Sequence, residues 1–139
     1  MDSSPNVKGK ILVVDDWPRW RERLEQILRA RGYQVYIAAS YVEARRLLCA
    51  EHFDVAIVDT RLVDADEHNI DGLLLLREIG WQSPETSLVV LTGYITRQQA
   101  EEVLGEQDFY FVEKKSFALP SFLATVEEAL RRARNRRRS

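Results

Sequence analysis

Residues 10–20 read KILVVDDWPRW. Residues 11–14 form an apolar, mostly β-branched run without helical period, which predicts a strand buried on both faces. The run stops abruptly at Asp15 and Asp16. Adjacent carboxylates repel each other, and burying either one unpaired is costly. A compensating charge must therefore come from elsewhere. Pro18 suits the first turn of a helix. The stretch reads as strand, acidic turn, helix.

The same alternation continues along the chain. Strands are predicted at 10–15, 34–39, 54–59, 87–92 and 109–113, and helices at about 18–31, 41–51, 71–80, 97–105 and 119–134. Ser40 with Glu43 and Thr96 with Gln99 have capping-box spacing. Pro120 suits a first helical turn. Gly32 and Gly80 stand where helical patterns end, a usual place for a left-handed cap. Strands alternating with helices imply right-handed βαβ crossovers and a doubly wound parallel α/β sheet.

A chain of 139 residues is long enough for one domain with a real core, and 45% hydrophobic and 30% charged residues suit a soluble globular protein. No apolar run approaches a membrane span, and residues 1–10 lack the apolar core of a signal peptide. A single cysteine, Cys49, cannot form an internal disulfide, which suits the cytoplasm. Its helical neighbours Leu47, Leu48 and Ala50 predict a small buried hydrophobe. The net charge of −2 conceals an asymmetry. Residues 131–139, RRARNRRRS, hold six arginines and no acid, which leaves 14 basic against 22 acidic side chains, a net of −8, in residues 1–130. An acidic body with a basic tail is unlike a folded nucleic-acid-binding patch. The tail extends the last helix, begins a linker, or meets an acidic partner or nucleic acid.

In a parallel sheet the carboxyl ends of the strands share one edge, where ligands bind. Asp15 and Asp16 end the first strand, Asp59 the third, Thr92 the fourth and Lys114 the fifth. Three carboxylates, a hydroxyl and an ammonium are thus expected to converge. A divalent cation among the carboxylates would offset their repulsion, and oxygen donors with waters favour Mg²⁺.

The pieces ILVVDD, DVAIVDTRL, DGLLLLREI, LVVLTGY and FVEKKSF stand in the order and near-spacing of two-component response regulators, and the chain resembles their receiver domain over roughly residues 9–130. The resemblance implies a flavodoxin-like sheet of order 2-1-3-4-5 with five helices. Residues 1–8 would form a tail and 131–139 an arginine-rich extension or tail. It implies that Asp59 accepts a phosphoryl group from a phosphohistidine of a sensor histidine kinase or phosphotransfer protein. Asp16 and Asp59 would hold Mg²⁺, Asp15 would ligate through water, and the backbone carbonyl of Arg61 would complete the protein ligands. Thr92 and Lys114 would bind phosphoryl oxygens, and Thr92 with Phe111 would form the switch. The fourth helix, fifth strand and fifth helix would carry a partner or a homodimer. Such a chain is a signalling phosphoacceptor rather than an enzyme. The alternative is a pseudo-receiver that signals without phosphorylation. A flavin carrier would need a Gly/Ser/Thr-rich phosphate loop, and Asp15 and Asp16 would repel its phosphate.

The chain departs from the family pattern in three places. Gly72 lies 13 residues after Asp59, about five more than usual, with Asp64, Asp66 and Glu67 in the inserted stretch. A calcium loop there would need glycine at Asn69 and a bidentate Glu at Leu75. Lys115 takes the place of a proline after the lysine. It is also the competing candidate for the site, although the 22-residue offset from Thr92 favours Lys114. Phe111 lacks a hydroxyl and is either a switch aromatic or plain core. Trp17, Trp20 and Trp81 read as core or surface packing, and His52 and His68 lack metal-ligand spacing. Either the protein is a single-domain regulator or the chain is the N-terminal part of a longer one.

Overall fold

In the computed structural model, which describes residues 8–60 and 71–138, five parallel strands form one sheet in the order β2-β1-β3-β4-β5. The strands are β1 (Lys10–Val14), β2 (Gln34–Ala38), β3 (Val55–Asp59), β4 (Ser87–Thr92) and β5 (Tyr110–Glu113). The helices are α1 (Pro18–Ala30), α2 (Tyr41–Ala50), α3 (Asp71–Gln82), α4 (Arg97–Leu104) and α5 (Leu119–Arg138). The doubly wound fold and its strand order agree with the sequence reading.

Strand periodicity divides the core in two. Ile11, Val13, Val55, Ile57, Val89 and Leu91 point to one face and pack with Leu24 and Leu28 of α1 and Phe122 and Val126 of α5. Their alternating neighbours Leu12, Val14, Ala56, Val58 and Val90 point to the other, against Ala44 of α2, Leu73 and Leu76 of α3 and Ala100 of α4. Near-continuous apolar strands are what two covered faces require.

Thr96 and Gln99 form a complete capping box on α4. At α2 the box is altered. Ser40 Oγ accepts from Glu43 N at 3.2 Å, but the Glu43 carboxylate accepts from Ala39 N at 2.7 Å instead of the cap residue's own N–H. Gly32 has φ 93°, a left-handed turn after α1. Gly80 does not end a helix. It lies inside α3, and a Cβ there would stand 2.4 Å from Gln107 Nε2, so close packing rather than a turn favours glycine. Cys49 is exposed, contrary to the sequence reading, because only Ala44 of α2 is fully buried and Leu47 and Leu48 are partly so. The last helix continues past 134. Arg137 pairs with the buried Asp54, Arg136 Nη1 donates to Ser87 Oγ at 2.9 Å, and Arg134 bonds the Lys8 carbonyl. Asp54 also accepts from Lys10 N at 2.8 Å. Three tail arginines thus bind the sheet edge opposite the acidic one. No helix among the described residues is long and apolar enough to cross a membrane.

Candidate functional site

The backbone ladder runs past the strand ends and fixes the residues there. Asp15 N donates to Ala38 O at 3.1 Å, Thr60 N to Leu91 O at 3.0 Å, and Lys114 N to Thr92 O at 2.7 Å. Asp15, Asp59 and Thr92 are buried, and Asp16 is half-buried. One oxygen from each of Asp15, Asp16 and Asp59 lies within 4.8 Å of the others. Lys114 supplies compensating charge for Asp15 of the acidic pair. Its Nζ stands 3.0 Å from Asp15 Oδ2 and 3.1 Å from Asp59 Oδ2. Burial disfavours the ammonium most strongly, but the Asp59 and Asp15 charges together outweigh it and raise the Lys114 pKa above the usual lysine range. Lys115, the competing candidate, is exposed.

Asp15 carries both roles that an acid after a strand can have. Its Oδ1 accepts from Trp17 N at 2.9 Å, a turn bond ahead of α1, and its carbonyl accepts from Arg21 Nη1 at 2.8 Å. Its Oδ2 is buried without an aligned hydrogen bond, although Lys114 is close. Three clustered hard oxygen donors, one with unused acceptor capacity, fit a divalent cation such as Mg²⁺. Arg61, whose carbonyl the resemblance adds to this set, lies outside the described residues, as do Asp64, Asp66, Glu67, His68 and Asn69. Leu75, the position a calcium loop would need as Glu, is fully buried on α3.

Sequence reasoning missed the surroundings of Thr92. Its Oγ1 accepts from Thr60 Oγ1 at 3.1 Å, Tyr94 N at 3.0 Å and Ile95 N at 3.1 Å. The hydroxyl therefore holds the chain leading into α4. A Thr after the last strand residue, as in VDT at 58–60, was the available signal. Phe111 is half-buried against the α2–α3–α4 core, with the Arg97 guanidinium 5.4 Å from its ring centre. The mouth of the site is a cavity of about 310 Å³ lined by Asp16, Asp59 and Lys114 together with Trp17, Trp20 and Tyr94.

Residues 11–127 match the response regulator receiver domain, and the chain belongs to that family. It is 35% identical over 107 residues to the response regulator protein PilR of Pseudomonas aeruginosa, covering 77% of this chain and 23% of PilR. It is 31% identical over 122 residues to the transcriptional regulatory protein ZraR of Escherichia coli, covering 86% and 26%. The chain thus spans about a quarter of each of these relatives. Among solved structures, a CheY-like receiver domain protein from Methanospirillum hungatei aligns with TM-score 0.81 and 26% identity over 92% of this chain and 98% of that one. The beryllofluoride-activated NtrC4 receiver domain dimer aligns with TM-score 0.75 and 27% identity over 89% and 98%. The fold and the family together make this a receiver domain of two-component response regulators.

Proposed function

We propose that the domain, residues 9–130, acts in the cytoplasm and accepts a phosphoryl group on Asp59 from the phosphohistidine of a sensor histidine kinase or histidine phosphotransfer protein. The observation that carries this reading is the convergence of Asp15, Asp16, Asp59, Thr92 and Lys114 on one sheet edge. A carboxylate oxygen of Asp59 would attack phosphorus, the P–N bond to the donor imidazole would break, and an aspartyl phosphate would remain. The Lys114 ammonium, already 3.1 Å from Asp59, is placed to pair with a phosphoryl oxygen. Asp15, Asp16 and Asp59 would hold Mg²⁺, with the Arg61 carbonyl as a further ligand. When bound, the ion supplies positive charge beside the phosphoryl oxygens. The chain serves as a phosphoacceptor, not as an enzyme acting on a separate substrate. Mass measurement after incubation with Mg²⁺ and acetyl phosphate tests the reading. A wild-type chain that takes no phosphate would instead be a pseudo-receiver.

Metal binding has its own check. Mg²⁺ binds the folded cluster and not the unfolded chain, so millimolar Mg²⁺ should raise the melting temperature. Asp16→Ala should remove most of that rise. An undiminished rise in the variant would move the ion elsewhere, for example to the acidic stretch at 64–67.

The Thr92 hydroxyl supplies a switch. It now accepts the N–H groups of Tyr94 and Ile95. Turning to donate to a phosphoryl oxygen would alter those bonds, and a ligand shifts an equilibrium only through such differential contacts. The responding face would be α4, β5 and α5, as a docking or homodimer surface, with Phe111 in its packing. A similar solved receiver is a beryllofluoride-activated dimer, which supports testing this chain for a homodimer. Phosphorylation or beryllofluoride should change hydrogen exchange in segments 93–106 and 109–117. Thr92→Ala should still take phosphate and show a much smaller change. Identical exchange with and without the mimic in wild type would leave a receiver that only stores phosphate.

A further inference from the structure

The acidic site has an aromatic wall that neither the metal nor the phosphoryl chemistry requires. Trp20, half-buried on α1, presents its ring to the Lys114 ammonium, 5.2 Å from Nζ to the ring centre. That is within the range at which a cation is attracted to an indole face, and indole is the strongest of the aromatic partners. The ring is itself held. Phe117 meets it edge-on at 5.2 Å and 78°, and Phe117 rests at 5.2 Å against Phe122, a buried residue of α5. Phe117 N donates to the Lys114 carbonyl at 3.4 Å, so the turn that places the lysine also places the ring's support.

An ammonium has three donors on a flexible four-carbon stem. The Asp59 carboxylate accepts from one, and the Asp15 carboxylate stands beside the ammonium as an ion-pair partner at 3.0 Å. Without a further constraint the stem could swing toward the open cavity and water. Side-chain exposure of Lys114 is only 11%, and the Trp20 face is the large surface beside it.

We propose that Trp20 is a positioning residue for Lys114, its indole face keeping the ammonium between Asp15 and Asp59 where it meets the phosphoryl group. This rests on the role of Lys114 given above. The apolar bulk of the ring alone would not do it, since the attraction comes from the negative π face.

Two measurements on the full chain test the proposal. The first is independent of phosphorylation. In the NMR spectrum the Lys114 ε-methylene protons should lie upfield of ordinary lysine, shifted by the Trp20 ring current, and Trp20→Leu should return them. The second is the rate of Asp59 phosphorylation by acetyl phosphate. Trp20→Leu should slow it about five-fold, and Trp20→Phe should recover most of the loss. In a Lys114→Met background, Trp20→Leu should change the residual rate less than two-fold, because the ring acts through the charge. An ε-methylene shift that Trp20→Leu leaves unmoved overturns the proposal. So does equal slowing in both backgrounds, which would make Trp20 packing alone. Should Trp20→Leu fail to fold, Trp20→Phe and Trp20→Met carry the comparison, and equal rates for these two overturn it, since only Phe keeps a π face. A wild type that takes no phosphate counts against the proposed function, and the NMR result still decides the role of Trp20.

Discussion

With Mg²⁺ and acetyl phosphate the wild-type chain should gain one acid-labile phosphoryl group, and Asp59→Asn should gain none. The expected contrast is all or none because an amide oxygen is neither charged nor a competent nucleophile toward phosphorus. The choice among three clustered acids is physical. Asp15 is fully buried, and its Oδ1 is engaged by Trp17 N. Asp59 lines the open cavity together with Lys114, so an incoming phosphoryl group reaches it beside the countercharge. Asp16 also lines that cavity, as a candidate metal ligand beside Asp59. Asn is nearly isosteric with Asp, and Asp15 still pairs with Lys114 in the variant, so the ammonium is not stranded. The fold should survive, as circular dichroism would check. Intact-mass spectra decide the chemistry. Equal phosphorylation of both proteins would put the acceptor at another residue, and none in either would favour signalling without phosphate.

The architecture was legible because it rests on short-range patterns. Two-residue alternation sorts Ile11 and Val13 to one face and Leu12 and Val14 to the other. Parallel strands then bring Asp15, Asp59, Thr92 and Lys114 to one edge without any knowledge of side-chain contacts. What the sequence hid depends on helix azimuth and on close approach. Trp20 reads as packing, and only the orientation of α1 against the turn at 114–117 sets it over Lys114. Cys49 sits in an apolar helical run, yet a small rotation leaves it outside. Gly80 looks like a terminator because glycine permits positive φ, but here it serves contact with Gln107. The arginine tail reads three ways from composition, and in the fold Arg137 and Arg136 lie on Asp54 and Ser87. Charge composition gives no direction, and the partner of a surface arginine lies far away in sequence.

Among the glycines that a Cβ would crowd, Gly72→Ala should be the most damaging. A Cβ at Gly72 would lie 1.7 Å from the carbonyl oxygen of Asp59 and 2.8 Å from Cα of Thr60. Both are backbone atoms of the central strand and its continuation, which cannot turn aside as a side-chain tip can. Gly72 N also donates to Thr60 O at 3.1 Å, so the start of α3 is tied to the chain it would have to leave. Its φ is not positive, and the demand is for space alone. Despite about five extra residues between Asp59 and Gly72, the helix thus returns to direct contact with the acceptor's own backbone. Overpacking a well-filled site costs about 1–3 kcal/mol and occasionally more, and this contact belongs at the upper end. A loss of about 3 kcal/mol would lower the melting temperature by roughly 10 °C in a domain of this size. The other glycines supply a graded comparison. At Gly80 the nearest atom is the Gln107 side-chain nitrogen at 2.4 Å, which can move at the cost of its 3.1 Å bond to Arg77 O, so alanine there should cost less. At Gly93 the nearest atoms are Lys114 Cβ and Cδ at 3.9 Å, an ordinary contact, so alanine should leave stability nearly unchanged. Thermal melts of the three variants should rank Gly72→Ala lowest, then Gly80→Ala, then Gly93→Ala. Phosphorylation of Gly72→Ala below its melting temperature should also be slowed, because relief of the clash displaces the peptide that carries Asp59. A Gly72→Ala protein that melts with the wild type would show that α3 does not bear on β3 as closely as these distances require.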